Sequence, residues 1–303
     1  MDGNGFRIGT RGSPLALAQA HAVAAALPGP AELVIVRTAG DRVQDRPLAA
    51  IGGKGVWTAE LERQLLEGEI DMAVHSMKDV ESERPPGLFI AAMLPRADVR
   101  DRLIGCEGLS ALRSDMTVGT SSPRRRAQLL RRLPSLDVIP IRGNVATRLA
   151  KVEAGEVDAT LLAAAGLDRL DMAETGTAIA TADLLPAPGQ GAVGIEVRAD
   201  NAALRTTLAD LSDADTFIAV SAERAVALAL GGSCHSPVAA LAVRDGDDWR
   251  LDAEILTEDG TECAAVSRHF AARDAVAAGS AAGRDLLAKA SPHLKRLFAP
   301  ANR

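Results

Sequence analysis

Ser122-Pro123-Arg124-Arg125-Arg126 puts three guanidinium groups at an expected helix start. Val118-Gly119-Thr120-Ser121 reads as a strand running into a turn. Ser122 is a good N-cap, and Pro123 lacks the N–H that a first helical turn leaves unpaired. The positive end of the helix dipole disfavours each cation there by roughly 0.3–1 kcal/mol unless an anion offsets it. The stretch is therefore either a solvated basic turn, with Arg131 and Arg132 one helical face later, or a site for an acidic ligand. Other cations keep similar company. Gly52-Gly53-Lys54-Gly55 can bring its backbone close to an anion but lacks the P-loop spacing. Arg142-Gly143-Asn144-Val145-Ala146-Thr147-Arg148 is another strand-to-helix entry, and Arg11 precedes Gly12-Ser13-Pro14. In His75-Ser76-Met77-Lys78-Asp79 a lysine adjoins a carboxylate, so either charge can tune the other as an acid or base. Cys234, in Gly231-Gly232-Ser233-Cys234-His235-Ser236-Pro237, is a thiol on a flexible loop that could serve as a nucleophile. Cys106 and Cys263 read as small buried hydrophobes.

The elements that position these residues alternate between strand and helix over the first two thirds, which predicts an α/β architecture. Two echoes suggest an internal repeat. Gly9-Thr10-Arg11-Gly12-Ser13-Pro14 leads into a helix over 15–26, as Gly119 to Pro123 leads into one over 124–133. Glu67-Gly68-Glu69-Ile70-Asp71 matches Ala154-Gly155-Glu156-Val157-Asp158, each a glycine exit from a helix into a strand, 70–74 and 157–162. The pattern predicts two similar domains facing across a cleft, with crossings in 87–103 and 185–191. The last third changes to a helix over 215–230, a three-strand antiparallel meander (238–243, 249–256, 262–270) and a closing helix over 275–290. The expected domains are 1–95 plus 190–210, 98–187, and 213–303.

Composition narrows the function classes. The 34 Lys+Arg are outnumbered by 40 Asp+Glu, giving a net charge of −6 over 303 residues, and aromatics are 2%. A broad cationic face or base-stacking platform for nucleic acid is not supported. No apolar run reaches membrane-spanning length and no secretory leader is visible. The three cysteines have no metal-ligand spacing and suit a reducing cytoplasm, so no metal is expected.

Taken in order, the motifs resemble one family across essentially the whole chain. Thr10-Arg11-Gly12-Ser13-Pro14-Leu15-Ala16, Gly53-Lys54-Gly55, Val74-His75-Ser76-Met77-Lys78-Asp79 and Gly119-Thr120-Ser121-Ser122 are similar to porphobilinogen deaminase, also called hydroxymethylbilane synthase. So are Arg142-Gly143-Asn144-Val145, Pro188-Gly189-Gln190-Gly191-Ala192 and the loop Cys234-x-x-Pro237. The resemblance implies two periplasmic-binding-protein-like α/β domains around a cleft, plus a small α+β C-terminal domain with a three-stranded antiparallel sheet. It implies a transferase joining four porphobilinogen molecules head to tail, with release of ammonia, on a dipyrromethane primer bound to Cys234 by a thioether. Asp79 matches the catalytic carboxylate, which would protonate the departing amine and stabilise the cation left behind.

Every pyrrole carries an acetate and a propionate, which gives the cations a task suited to guanidinium forks. The resemblance assigns Cys234, Lys78, Asp79, Thr120, Ser121, Ser122, Arg124, Arg125, Arg142, Gly143 and Asn144 to cofactor binding. It assigns Arg11, Ser13, Lys54, Trp57, Ser76, Arg148, Arg169 and Gln190 to substrate binding, and leaves Arg126 as a solvated neighbour. It further implies a cytoplasmic monomer whose product goes to uroporphyrinogen III synthase. Trp57 replaces the family's usual Phe, Glu81 stands where proline often follows Asp79-Val80, and His235-Ser236 are unusual fillers of the cysteine loop. The rival function is a non-catalytic two-lobed module for an anionic solute or effector, which needs neither Asp79 nor Cys234. A phosphate-ester enzyme is disfavoured for want of a P-loop or a carboxylate cluster for Mg²⁺.

Overall fold

The computed structural model of the chain describes residues 5–38, 58–231 and 236–298. Among these the strands are β1 (Phe6–Arg11), β2 (Ala31–Val36), β3 (Met72–Ser76), β4 (Leu88–Met93), β5 (Asp101–Ile104), β6 (Thr117–Gly119) and β7 (Asp137–Ile139), followed by β8 (Ala159–Ala163), β9 (Thr177–Ala178), β10 (Val193–Arg198), β11 (Val238–Asp245), β12 (Asp248–Leu256) and β13 (Cys263–Phe270). The helices are α1 (Pro14–Ala26), α2 (Ala59–Leu66), α3 (Pro123–Arg132), α4 (Val145–Glu153), α5 (Ala164–Asp168), α6 (Ala202–Ala209), α7 (Ala214–Ala229), α8 (Ala275–Lys289) and α9 (Pro292–Phe298). The chain divides into two compact units, 1–97 with 192–217, and 98–191 with 218–303.

The first unit holds a five-stranded sheet in the order β2-β1-β3-β10-β4, and the second holds one in the order β7-β6-β8-β5-β9. These are one construction built twice. In each, one strand (β1 or β6) lies parallel between its two neighbours, and beyond the second neighbour lies an antiparallel strand (β10 or β5) more than 50 residues from that neighbour in sequence. The registers Ile8↔Met72 and Gly9↔Ala73 correspond to Val118↔Ala159 and Gly119↔Thr160. The expected glycine exits take left-handed φ, +71° at Gly68 and +69° at Gly155, where other residues would be strained. Even the braces repeat. Asp71 Oδ2 accepts the Arg7 N–H at 2.8 Å, and Asp158 Oδ2 accepts the Thr117 N–H at 2.7 Å.

Apolar side chains on both faces explain why the central strands read as near-continuous hydrophobic runs. In the first sheet Ile8, Met72, Val74, Ile195 and Val197 pack with α1 and α6 residues and Ala73 with Leu61 and Leu65 of α2; in the second Leu103, Val118, Ala159 and Leu161 pack with α3, and Ile104 and Leu162 with Val145 and Leu149 of α4. One boundary differs from expectation. His75 and Ser76 belong to β3 rather than to the loop after it, because β10 pairs with them through Gly194↔His75 and Val193↔Ser76.

The third sheet, β11-β12-β13, is the expected antiparallel meander, turning at Gly246 and Gly260 with φ near +65° and +72°. It packs α7, α8 and α9 over a core that includes Trp249, Leu251, Ile255 and Leu286. Its second turn lies against α3 so closely that a Cβ on Gly260 would sit 2.3 Å from the Ala127 carbonyl oxygen. Gln128 Nε2 of α3 also donates to Glu254 Oε1 of β12 at 2.6 Å. No helix among the described residues is long and apolar enough to cross a membrane.

Candidate active site

In the first unit, polar side chains gather where β1 and β3 end and α1 begins. Ser13 caps α1, its Oγ accepting the Ala16 N–H at 3.3 Å, with Pro14 in the first turn and no acidic residue there. Arg11, Ser13, Gln19, Thr58, His75, Ser76 and Asp79 line one open cavity. Gln19 Nε2 donates to Ser76 Oγ at 2.8 Å, fixing that hydroxyl. Thr58 is buried, and its Oγ1 has no hydrogen-bond partner among the described residues. Asp79 completes the 3-10 turn Met77–Asp79 immediately after β3, and both Lys78 and Asp79 are half-buried.

Beneath that turn lies a buried ionic cluster. His75 Nε2 is 3.0 Å from Glu196 Oε2, and Glu196 Oε1 accepts from Arg84 Nε at 2.8 Å. Arg84 Nη2 donates in turn to Glu62 Oε1 at 2.6 Å. Burial alone would raise the pKa of Glu196, but the bonds and charges of His75 and Arg84 outweigh it and keep the carboxyl below its ordinary value.

In the second unit the arginine helix starts as its residue types require: Ser122 Oγ accepts the Arg125 N–H at 3.4 Å. The arginines themselves differ from the expected open cradle. Arg124 and Arg125 are 3% and 6% exposed, turned onto one fully buried carboxylate. Asp101 Oδ2 accepts from Arg124 Nη2 at 2.8 Å and Oδ1 from Arg125 Nη2 at 2.6 Å. Burial pushes the Asp101 pKa up, yet the two guanidinium charges more than reverse this and hold it well below the carboxylate range. Two cations share one anion, and both Arg Nε atoms are buried without a hydrogen-bond partner. Burial, followed by the like charge of Arg125, lowers the pKa of Arg124 against the opposing pull of Asp101. The next carboxylate, Glu254, is engaged by Gln128 and lies 4.0 Å from Arg131. This unit therefore carries surplus positive charge at a helix start, which fits a ligand bearing several carboxylates. Arg126 is half-buried and donates to the Val138 carbonyl, so it is more than a solvated neighbour.

The remaining hydroxyls and cations surround the two helix entries. Thr120 Oγ1 accepts the Ser122 N–H at 3.2 Å, and Ser121 Oγ donates to the Ile141 carbonyl at 2.6 Å. Asn144 caps α4 by accepting the Thr147 N–H at 2.9 Å. Gly143, at φ +117°, lies where a Cβ would meet Thr147 Cγ2 at 2.5 Å, so glycine is required. Arg148 Nε donates to the Gly143 carbonyl at 3.0 Å, and Arg142 is half-buried beside it. Arg169 Nη2 donates to the Gly191 carbonyl at 2.7 Å, and burial lowers the pKa of its guanidinium. Gln190 is buried, donating to the Val99 carbonyl at 2.7 Å and to Asp101 Oδ1 at 2.9 Å. Lys54, Trp57, Cys234 and His235 lie outside the described residues.

The structure thus collects Arg11, Ser13, Ser76 and Asp79 on one cavity, and Arg124, Arg125 and Gln190 on Asp101. Thr58, Arg84, Asp101 and Glu196 were not among the sequence-derived candidates. Glu196 left one signal, a lone carboxylate in the apolar run Val193-Gly194-Ile195-Glu196-Val197. Asp101 left none, because Arg100 and Arg102 make it look like one member of a surface charge cluster.

Two sequence families match the chain. Residues 6–206 match "Porphobilinogen deaminase, dipyromethane cofactor binding domain", and residues 217–288 match "Porphobilinogen deaminase, C-terminal domain". Curated relatives include the porphobilinogen deaminase of Sphingopyxis alaskensis, 53% identical with 98% of this chain and 97% of that one covered. That of Paracoccus denitrificans is 48% identical, covering 95% of each chain. The chloroplastic protein of Oryza sativa is 45% identical, over 95% of this chain and 84% of its own. Similar solved structures include the Bordetella pertussis BvgS VFT2 domain, at 16% identity, TM-score 0.38, and coverage of 68% of this chain and 85% of that one.

Proposed function

The chain belongs to the porphobilinogen deaminase family, and on that premise we propose that it condenses porphobilinogen units into hydroxymethylbilane through Asp79. The single observation that carries the site assignment is the position of Asp79: a half-buried carboxylate in a short turn, on a cavity shared with Arg11 and the capped start of α1. A carboxyl group there can protonate the departing amine and then, as carboxylate, stabilise the positive charge left on the pyrrole. Arg11 and the α1 N-terminus offer positive charge to the acetate and propionate of the substrate.

The family match names a dipyrromethane cofactor, and the residues present fit it. Surplus cationic charge on Arg124 and Arg125, with Arg142, would hold its carboxylates, and Cys234 would carry the thioether. When bound, the cofactor supplies the primer whose free pyrrole carbon is the nucleophile. Holding the cations rigid is the protein's contribution, and Asp101 does so by taking one Nη of each guanidinium.

The comparisons favour this enzyme over the non-catalytic binding module, which would need neither an acid nor a tethering cysteine. We read the chain as a monomer acting in the cytoplasm and releasing its product to uroporphyrinogen III synthase; light scattering of the purified protein tests the first of these. Intact mass tests the cofactor reading. Wild type should carry an adduct of two pyrrole units that is missing from Cys234→Ser. A folded wild type without adduct would contradict the reading.

A further inference from the structure

One fully buried carboxylate grips both flanks of the Asp79 turn. Upstream, His75 on β3 meets Glu196 Oε2 at 3.0 Å; downstream, Arg84 meets Glu196 Oε1 at 2.8 Å. The residues between them carry the turn Met77–Asp79, which is closed by a 3.3 Å bond from the Val80 N–H to the Met77 carbonyl. β10, which bears Glu196, and the residue just before it hold the same turn at two more points. The Ala192 carbonyl accepts the Met77 N–H at 3.0 Å, and Met77 lies over Gly194, where a Cβ would come within 2.1 Å of its Sδ.

A buried carboxylate is costly unless paired, and an ordinary core would place an apolar residue in this otherwise apolar strand. Here both oxygens are committed, one to each side of a three-residue turn, while Arg84 also reaches Glu62 on α2. Such an arrangement fixes the position of a side chain that Glu196 does not itself touch. A displacement of about 1 Å in a reacting group can cost on the order of a hundredfold in rate, so fixing it has kinetic value. We infer that Glu196, acting through His75 and Arg84, is a positioning residue for Asp79. The inference rests on the reading of Asp79 as the reacting acid.

The test uses the cofactor-loaded enzyme. Glu196→Gln keeps the size and removes the charge. It should retain the covalent adduct by intact mass and a KM for porphobilinogen within about threefold of wild type, while kcat falls roughly 10- to 100-fold. Hydrogen exchange over 75–84 should accelerate about tenfold or more relative to β1, a readout independent of turnover. Arg84→Lys, which keeps one charged contact, should lose less than Arg84→Gln, and this pair serves if Glu196→Gln does not fold. In an Asp79→Asn background, Glu196→Gln should add less than about twofold to the loss. A folded, loaded Glu196→Gln with wild-type kcat and exchange would overturn the inference. So would an equal kcat loss with and without Asp79, which would leave the Asp79 reading standing. Near-normal turnover of Asp79→Asn alone would remove that reading and this inference together.

Discussion

The two five-stranded sheets share strand order, register, Ser-Pro helix caps, glycine exits and aspartate braces, yet they differ at the points where chemistry would occur. After β3 the first copy continues Met77-Lys78-Asp79; after β8 the corresponding residues of the second are Ala164-Ala165-Gly166. The first copy opens α1 with Pro14-Leu15-Ala16, leaving its helix start uncharged. The second opens α3 with Pro123-Arg124-Arg125 and needs Asp101 to hold those arginines in its interior. What repeats is what the backbone requires, namely caps, left-handed exits and unpaired N–H groups satisfied by carboxylates. What does not repeat is the side-chain set, a carboxyl group after the third strand of one copy and fixed cations at the helix start of the other, and on it rests the division of labour proposed above.

That comparison can be broken at its most asymmetric point. Asp101→Asn leaves Arg124 and Arg125 buried without a counter-charge, and breaking a buried pair in this way costs about 3–5 kcal/mol. Urea unfolding should show that loss together with reduced cofactor loading; a change under about 1 kcal/mol would mean that Asp101 does not bear the charge of both guanidiniums. The pH dependence follows with a definite sign. Asp101 and Glu196 both have folded-state pKa values held below their unfolded values, so their stabilisation is complete above the unfolded carboxylate range and is lost as pH falls through it toward the folded values. Melting temperature should owe no decline to these groups from neutrality down to about pH 5, then fall below about pH 4, and Asp101→Asn should flatten that fall. Smallest is the shared part. Ser13→Ala and Ser122→Ala should each cost about 1 kcal/mol, within a few tenths of each other, because both side chains accept one N–H in the same way. A large disparity would show that the two caps are not equivalent.

The local part of this architecture was legible in the sequence. Ser13-Pro14 and Ser122-Pro123 announce helix starts, Gly68 and Gly155 announce exits, and turn residues at 245–248 and 258–260 delimit the meander, because each rule concerns neighbours along the chain. The candidate site was legible as residue types but not as partners. Nothing near Arg124 indicates that its counter-ion lies on an antiparallel strand 23 residues upstream. Similarly, His75 reads as a loop residue until Glu196, 121 positions away, supplies the carboxylate that lets it sit inside a strand. Arg126 reads as solvated from its neighbours alone because the carbonyl it meets, on Val138, belongs to another strand. Burial of charge is a tertiary property, and a lone carboxylate in an apolar strand is its only local trace here.

The division of labour between the two copies stands or falls on Asp79. Steady-state release of ammonia from porphobilinogen, compared between wild type and Asp79→Asn carrying the same covalent adduct, measures it directly. General acid catalysis contributes about 10²–10⁴-fold, so the variant should turn over slower by at least a hundredfold while its melting temperature stays within a few degrees of wild type. Turnover within about threefold of wild type in a folded, loaded Asp79→Asn would contradict the assignment of the acid to the first copy.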